Sequence, residues 1–154
     1  MILDERNEFC DATALNTGGV ATYNIGDQID TQGQTIGAAN LTRDLGVSAD
    51  LFLVLQMAVS AAGASAVGQF RLVSDDTPTP STTTATVHFT TAAIPMVTLA
   101  AGYRIAVVQL PAGSYERYLG IQQITSGAAF SAGAIDAFLT SDPSLWRAYA
   151  DNVG

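Results

Sequence analysis

The chain has 154 residues, of which 48% are hydrophobic and 13% are charged, whereas an average domain is about 25% charged. A chain of this length fits one domain, and it can bury a core without help from disulfides or metals. The net charge is −8 and the six basic residues are arginines scattered along the chain. Nucleic-acid binding requires a basic stripe that neutralises phosphates, so that class of function is excluded.

Cysteine content and hydropathy indicate in which cellular compartment the protein is expected. Cys10 is the only cysteine, which excludes an intrachain disulfide and suits a reducing compartment. The acidic start lacks the basic and apolar regions of a signal peptide, and the longest apolar stretch, residues 51–59, is half the length of a membrane span. Binding to an anionic membrane surface is disfavoured because there is no basic cluster. We therefore expect a soluble protein that is not exported by this route.

Short stretches of strand character alternate with turn-rich stretches along the chain. Residues 51–59 are almost continuously apolar, which favours a strand buried on both faces, with a short buried helix as the alternative. The turn-rich stretches are residues 26–37, 74–84 and 111–114, with glycine-centred breaks at 61–68 and 125–129. Strands are predicted at residues 51–59, 69–74, 84–90, 103–110, 117–125 and 130–139.

Two connections carry more specific expectations. The strands at residues 103–110 and 117–125 flank a Pro-Ala-Gly-Ser segment, which has the composition of a hairpin connection, so we expect them to pair. The threonine-rich loop at residues 77–84 contains Pro78 and Pro80. We expect this loop to project into solvent as an extended segment.

The C-terminal tail, residues 141–154, carries the signals of a short helix. Asp142 is a suitable cap, Pro143 suits the first helical position, and Leu145, Trp146 and Tyr149 would share one face. No internal repeat or domain boundary is visible. The sequence predicts a single all-β domain over residues 1–154, an antiparallel jelly roll or β-sandwich with a short C-terminal helix.

The sequence contains no recognisable catalytic constellation. The absence of lysine rules out a completed phosphate-binding loop and Schiff-base chemistry, and no GxSxG elbow is present. His88 is the only histidine and lies among threonines, so we expect a half-exposed sheet residue. Cys10 is next to Asp11, whose charge raises the thiol pKa, so we expect it to pack rather than react. We expect no enzyme activity, no cofactor and no metal.

Two pairs of aspartates remain as candidates for chemistry. Asp75 and Asp76 lie in one turn-rich stretch, and Asp27 and Asp30 lie in another. Aspartate in such turns commonly accepts hydrogen bonds from its own backbone. The alternatives are a calcium site, although the spacing matches no EF-hand, and a glycosidase pair.

An aromatic and arginine cluster at residues 115–119 is the main candidate for an interface within the sequence. Tyrosine and arginine are enriched at protein interfaces, so Tyr115, Arg117 and Tyr118 are candidate contact residues. The alternative is that Tyr118 or Leu119 packs inward while Glu116 and Arg117 form local ion pairs.

Four blocks form a pattern in a fixed order along the chain. The first block is Met-Ile-Leu-Asp at residues 1–4 with Phe-Cys-Asp-Ala-Thr-Ala at 9–14, and the second is Leu-Ala-Ala-Gly-Tyr-Arg-Ile-Ala-Val-Val-Gln-Leu-Pro at 99–111. The third is Glu-Arg-Tyr-Leu at 116–119, and the fourth is Ser-Ala-Gly-Ala-Ile-Asp-Ala-Phe-Leu at 131–139. The pattern resembles a family of small capsid proteins of tailed bacteriophages, whose described members are cement, or decoration, proteins of the head. The tail at 141–154 and longer inserts at 31–44 and 77–84 depart from the family pattern.

The resemblance implies a jelly roll on the outside of an icosahedral virion shell, made in the host cytoplasm. There the protein would clamp adjacent subunits of the major capsid protein against internal genome pressure, as a homodimer or homotrimer. Residues 1–11 would be a docking arm, with Ile2, Leu3 and Phe9 as its apolar anchor. The alternative for these residues is an ordinary edge strand of the sandwich.

Other functions are compatible with the same fold class. A jelly-roll lectin would bind sugar or a cell surface, with calcium in the loop at residues 26–37 as one possible feature. A tail, collar or head-fibre component of a virion and a small hydrolase with a carboxylate pair are the remaining alternatives.

Overall fold

The computed structural model of the protein describes residues 7–31 and 51–143, which form two antiparallel β-sheets packed against each other. One sheet has the strand order β1-β9-β3-β7, and the other has the order β2-β8-β4-β5, with β6 beside β4. Met96–Thr98 form a 3₁₀ turn, and the described residues contain no α-helix. The strands are β1 (Glu8–Ala14), β2 (Thr22–Asp30), β3 (Phe52–Ala62), β4 (Val67–Asp75), β5 (Thr86–Thr90), β6 (Ile94–Pro95), β7 (Arg104–Gln109), β8 (Tyr118–Ser126) and β9 (Ala132–Thr140).

The core forms between the inner faces of the two sheets. Leu53, Leu55 and Met57 alternate along β3, and all three are fully buried in the main apolar cluster, which is the period-2 pattern of a strand facing a core. Val54 and Gln56 on the opposite face of β3 are buried as well. The prediction of a strand buried on both faces is confirmed here, and the helix alternative is wrong.

The strands pair in a nested order. The first strand, β1, pairs with the last, β9, and the second strand, β2, pairs with the last but one, β8. Further inward, β3 pairs with β7 and β4 pairs with β5. Two further pairings, β9 with β3 and β8 with β4, complete the sheets. A single long antiparallel ribbon folded over itself produces this arrangement, because each half of the ribbon remains beside the other.

The predicted hairpin between residues 103–110 and 117–125 is wrong, although both strands are present. β7 pairs with β3 in one sheet, whereas β8 lies between β2 and β4 in the other. The connecting segment, residues 110–117, crosses from sheet to sheet instead of turning back. Leu110 and Tyr115 are buried within it, and stacked sheets lie about 10 Å apart, a gap that this segment is long enough to span.

Two turn predictions also require correction. The stretch predicted as a turn from residue 26 begins inside β2, where Gly26 with a φ of 70° forms part of a bulge between Ile25 and Ile29. A Cβ at this position would overlap the carbonyl oxygen of Phe9 in β1, so glycine permits the close approach of the two strands.

The loop at residues 77–84 does not project into solvent along its whole length. Asn24 Nδ2 donates to the Pro80 carbonyl at 2.7 Å, Gln122 Nε2 donates to the Ser81 carbonyl at 3.1 Å, and Arg71 donates to the Thr82 carbonyl at 3.0 Å. Pro80 is buried against Gly120, which has no side chain to obstruct it. The second half of the loop therefore lies on the outer face of the β2-β8-β4-β5 sheet.

The predicted C-terminal helix cannot be compared with the structure. Leu145, Trp146 and Tyr149 lie outside the described residues, as do Ile2 and Leu3 at the other end of the chain. Of the tail, residues 141–143 are described, and the Asp142 amide donates to Thr140 Oγ1 at 3.1 Å at the end of β9.

Candidate functional site

The predicted contact residues Tyr115, Arg117 and Tyr118 lie together where the crossover segment, residues 110–117, enters β8. Tyr118 pairs with Asp30 of β2 and Asp75 of β4, so these residues share one end of the sandwich. Glu8 at the start of β1 pairs with Phe138 near the end of β9 and lies at the same end. We call this the charged end, because Asp30, Asp75, Glu116, Arg117 and Asp142 lie there.

Arg117 is held in a fixed position on the surface of the charged end. Its Nε and Nη2 atoms donate to the two carboxylate oxygens of Asp30 at 3.0 and 2.9 Å, a bidentate pair. Its guanidinium carbon lies 4.9 Å from the centre of the Tyr118 ring. Both side chains of the ion pair are about 40% exposed (41% and 40%), so the pair adds little stability. It does present a preorganised planar cation beside an aromatic ring.

Tyr115 has a different environment from its neighbours. Its side chain is 1% exposed, and its hydroxyl donates to the Pro111 carbonyl at 2.6 Å. Burial raises the pKa of this phenol. Because it fills the end of the core, Tyr115 is not available for direct contact with a partner. The core-packing alternative is confirmed for Leu119, which is fully buried, and the predicted contact residue Tyr115 is buried as well. Arg117 and Tyr118 keep accessible surface.

A polar cluster surrounds Tyr115. The His88 ring stacks on Tyr115 with centroids 3.9 Å apart, and His88 Nε2 lies 2.7 Å from Ser74 Oγ. Ser74 donates to Glu116 Oε2 at 3.1 Å and accepts from the Glu116 amide at 3.1 Å. Because its one hydroxyl proton goes to the carboxylate, His88 Nε2 acts as the donor to Ser74. Burial lowers the pKa of His88, although the charge of Glu116 partly opposes this shift.

The cluster differs from a catalytic triad. In a triad the carboxylate orients the histidine, whereas Glu116 contacts the serine. Ser74 is also fully buried, so no substrate atom can reach its hydroxyl. The arrangement instead joins β4, β5 and the crossover segment.

The predicted anchor residue Phe9 lies in the core. It is 1% exposed in β1, an edge strand of the β1-β9-β3-β7 sheet. The edge-strand alternative thus describes residues 8–14, and Phe9 has no exposed side chain to offer a partner. An open cavity of about 370 Å³ lies beside it, lined by acidic and polar residues that include Glu8, Asp11 and Asp27.

Cys10 also borders this cavity. Its side chain is buried, and burial raises the pKa of the thiol to about 12. The expectation that Cys10 packs rather than reacts agrees with this environment, because the nucleophilic thiolate does not form at neutral pH. No group of three or more histidine, cysteine, aspartate or glutamate side chains within residues 7–31 and 51–143 is placed to hold a metal ion.

Asp75 organises the start of the loop that follows β4. Its Oδ2 accepts from the Ser81 amide at 2.8 Å, and its Oδ1 accepts from the amide and hydroxyl of Thr77 at 3.1 Å. These donors, the Ser81 amide first, lower the pKa of the carboxyl group. The interpretation of Asp75 as a turn-forming residue is confirmed. The carboxylate of Asp30 is bound to Arg117.

A sequence model of the Bbp16 family matches residues 9–139. The chain belongs to the Bbp16 family. The matched range includes both sheets almost completely, together with the crossover segment, Arg117 and Tyr118. Ile2, Leu3 and the tail from residue 141 lie outside it. No protein of curated function matches the chain.

The Bbp16-family domain contains side-chain contacts that the sequence did not predict. The Asp30–Arg117 pair and the Ser74–His88–Glu116 cluster join residues far apart in sequence, and no local pattern marks such pairs. Asn24 and Gln122, which hold the loop after β4, give no signal either, because isolated amides in strands are common. In the described part of the chain, no helix is both long and apolar enough to cross a membrane.

Proposed function

We propose that this protein is a virion structural protein that binds the outer surface of a tailed-phage capsid and cements adjacent major capsid subunits. The observation that carries the proposal is the nested strand pairing. A ribbon folded with β1 on β9, β2 on β8, β3 on β7 and β4 on β5 is consistent with an eight-stranded jelly roll, with β6 as a short addition. A jelly roll is the fold that the resemblance to phage cement proteins implies.

The positions of the resembling blocks support the same proposal. The block at residues 99–111 contains β7, the block at 116–119 leads into β8, and the block at 131–139 includes all of β9 except its last residue. These strands belong to both sheets, so the resemblance extends through the sandwich and is not confined to one motif. Membership in the Bbp16 family over residues 9–139 is compatible with this pattern.

The charged end is the surface that we assign to the shell. Arg117, fixed by Asp30 and stacked beside Tyr118, offers a preorganised contact of the kind enriched at interfaces. The chain enters β1 at this end, so residues 1–6, with Ile2 and Leu3, are attached there and form the proposed arm. A cement protein needs only modest affinity per copy, because contact with several subunits at once multiplies the effect.

The test is co-sedimentation of the purified protein with mature DNA-filled heads and with unexpanded precursor shells of the parent phage. Saturable binding to mature heads, near stoichiometric with capsid subunits, is the expected result. Deletion of residues 1–6 should abolish binding while leaving the far-ultraviolet circular dichroism and melting temperature unchanged, because those residues precede the paired part of β1.

A second variant tests whether the rest of the charged end contributes to binding independently of the arm. Arg117→Ala should weaken binding without affecting the fold, because the ion pair is half exposed. Absence of wild-type binding to either particle would remove the capsid role and favour a tail component or a glycan-binding module. Undiminished binding of the deletion variant would reject the arm alone.

A further inference from the structure

The outer face of the β1-β9-β3-β7 sheet, which points away from the core, is buried in its middle. Phe138 of β9 and Val54 of β3 are register partners on this face, and each is 1% exposed. Neither belongs to the apolar cluster between the sheets, which takes the alternate residues of both strands. Gln56 and Thr140 on the same face are also buried. We call this surface the Phe138 face.

The strands that the structure describes do not account for this burial. Side chains stand roughly perpendicular to a sheet, so neighbouring strands about 4.8 Å away contact the sides of a phenyl ring and leave its tip open to solvent. Within residues 7–31 and 51–143, the second layer of the sandwich packs on the opposite side of this sheet, against Leu53 and Leu55. The nearly complete burial of Phe138 therefore requires another segment above the ring.

The end of β9 directs the chain towards the Phe138 face. Side chains two positions apart share one face of a strand, so Thr140 lies on the same face as Phe138. The amide of Asp142 donates to Thr140 Oγ1 at 3.1 Å, which turns the backbone after Ser141 to that side. Pro143 then favours the start of a helix over the continuation of a strand.

Residues 144–154 have the side chains and the length to lie above the Phe138 face. Leu145, Trp146 and Tyr149 share one side of the predicted helix. A helix over these residues would be about 16 Å long at roughly 1.5 Å per residue, close to the roughly 14 Å width of a four-stranded sheet. Residues 1–6 and 32–50 contain no aromatic side chain, whereas contacts between aromatic rings add to the energy of burial.

We propose that residues 144–154 dock as an amphipathic helix on the Phe138 face, with Leu145 and Trp146 against Phe138 and Val54. The docked segment lies beyond residue 139, where the match to the Bbp16 family ends. Docking gives the chain its own cover for an apolar surface that would otherwise invite nonspecific association. This contact goes beyond the proposed function and does not depend on it.

Trp146 is the only tryptophan, so its fluorescence reports directly on this contact. We expect its emission in the folded full chain at a shorter wavelength than in the chain unfolded by urea, because docking removes the indole ring from water. Val54→Asp places a carboxylate under the docked segment and should shift the emission towards that of the unfolded chain. The matched control is Val87→Asp, the same substitution at a 45% exposed position in the other sheet. This control should leave the emission unchanged.

Limited digestion with trypsin gives a second measurement on the same proteins. Cleavage after Arg147 releases residues 148–154, which mass spectrometry detects, and docking should protect this bond. We expect the release to be about tenfold faster in Val54→Asp, because cleavage follows the population of the undocked form, and unchanged in Val87→Asp. A release rate that does not depend on protein concentration would show that the segment docks on its own chain.

A substitution in the tail keeps the proposal testable if Val54→Asp does not fold, which circular dichroism would reveal. Leu145→Asp leaves the sandwich unchanged and should produce the same emission shift and the same faster release. The proposal is overturned if wild-type emission equals that of the unfolded chain, or if the release rate is unchanged in a folded Val54→Asp or Leu145→Asp variant. A release rate that depends on concentration would also overturn it, because another molecule would then occupy the face. Faster cleavage after Arg43 but not after Arg147 in Val54→Asp would assign the Phe138 face to residues 32–50 instead.

Discussion

Ser74 is a residue at which a single hydroxyl group joins three parts of the molecule. Its oxygen accepts hydrogen bonds from His88 Nε2 and the Glu116 amide, and its hydroxyl donates a hydrogen bond to the Glu116 carboxylate. All three possible hydrogen bonds of a hydroxyl group are made, so the buried group is fully satisfied. Stacking of His88 on Tyr115 then ties β5 to the crossover segment.

The environment of His88 predicts that stability depends on pH. Its pKa is lowered from 6.5, mainly by burial, so the folded state favours the neutral ring and the unfolded state binds the proton more readily. The contribution of His88 is therefore complete above about pH 6.5 and is lost as the pH falls through the lowered pKa. The free energy of unfolding, measured by urea denaturation, should decrease between pH 7.5 and pH 5.5.

His88→Gln provides the comparison for this prediction, because glutamine keeps an amide donor near Ser74 and does not titrate. The stability difference between wild type and variant should narrow as the pH is lowered. A difference that stays constant from pH 7.5 to 5.5 would assign the acid sensitivity to the carboxylates instead.

Substitution of Phe9 should have a large effect on the free energy of unfolding that does not depend on pH. Its ring is fully buried in the core at the start of an edge strand. Phe9→Ala should therefore lower the free energy of unfolding by about 3–5 kcal/mol through lost transfer energy and the cavity left behind. Val20→Ala, at an exposed position, should change it by less than about 0.5 kcal/mol. A small effect of Phe9→Ala would mean that β1 contributes little to the fold.

The burial of Phe9 also changes which deletion can test the docking arm. Removal of residues 1–11 would take away Phe9 and Cys10 from the core together with half of β1. Such a variant would lose stability, and loss of capsid binding would then have two explanations. Removal of residues 1–6 leaves the paired strand intact.

At the scale of elements, two sets of hydrogen bonds fix the loop between β4 and β5, one at its first turn and one along its second half. Asp75 fixes its first turn through Thr77 and Ser81, and Asn24, Arg71 and Gln122 hold the backbone from Pro80 to Thr82. Asn24 belongs to β2 and Gln122 to β8, so two of these donors come from other strands of the sheet. The loop is thus part of the outer face of the sheet, although residues 76–79 remain exposed.

Asp75→Ala should release the first turn of this loop. Three hydrogen bonds to the carboxylate are lost, so local opening becomes more frequent. We expect cleavage by proteinase K within residues 76–85 to be about tenfold faster than in the wild type. Asp76→Ala removes the same charge from the neighbouring exposed position and should leave the rate unchanged. Equal rates in both variants would show that the anchors on Asn24, Arg71 and Gln122 suffice.

At the scale of the whole molecule, the sandwich depends on contacts between residues distant in sequence. The first strand pairs with the last, and each sheet takes strands from both halves of the chain. A sheet of this kind cannot lose one strand without exposing the core, so the domain should unfold as one unit. Far-ultraviolet circular dichroism and tyrosine fluorescence should therefore give coincident urea transitions. Separate midpoints would show that the two sheets melt independently. The many non-local pairings also predict slow folding, on the scale of milliseconds to seconds.

Several features of the protein were predictable from the sequence because they depend on local patterns. Period-2 alternation and continuous apolar runs identified the strands at residues 51–59, 69–74 and 117–125, and the two-sided burial of β3 followed from its apolar run. Turn chemistry identified Asp75.

The tertiary structure alone decided which strands share a sheet. Pro-Ala-Gly-Ser fits a hairpin and a crossover equally well, and the burial of Leu110 and Tyr115 between the sheets selects the crossover. The Asp30–Arg117 pair and the Ser74–His88–Glu116 cluster arise from residues brought together by that pairing. A strand pattern predicts that a segment pairs with another strand and buries one face. It does not predict which strand it pairs with, because the backbone hydrogen bonds are the same for every strand. Global packing chooses the partner.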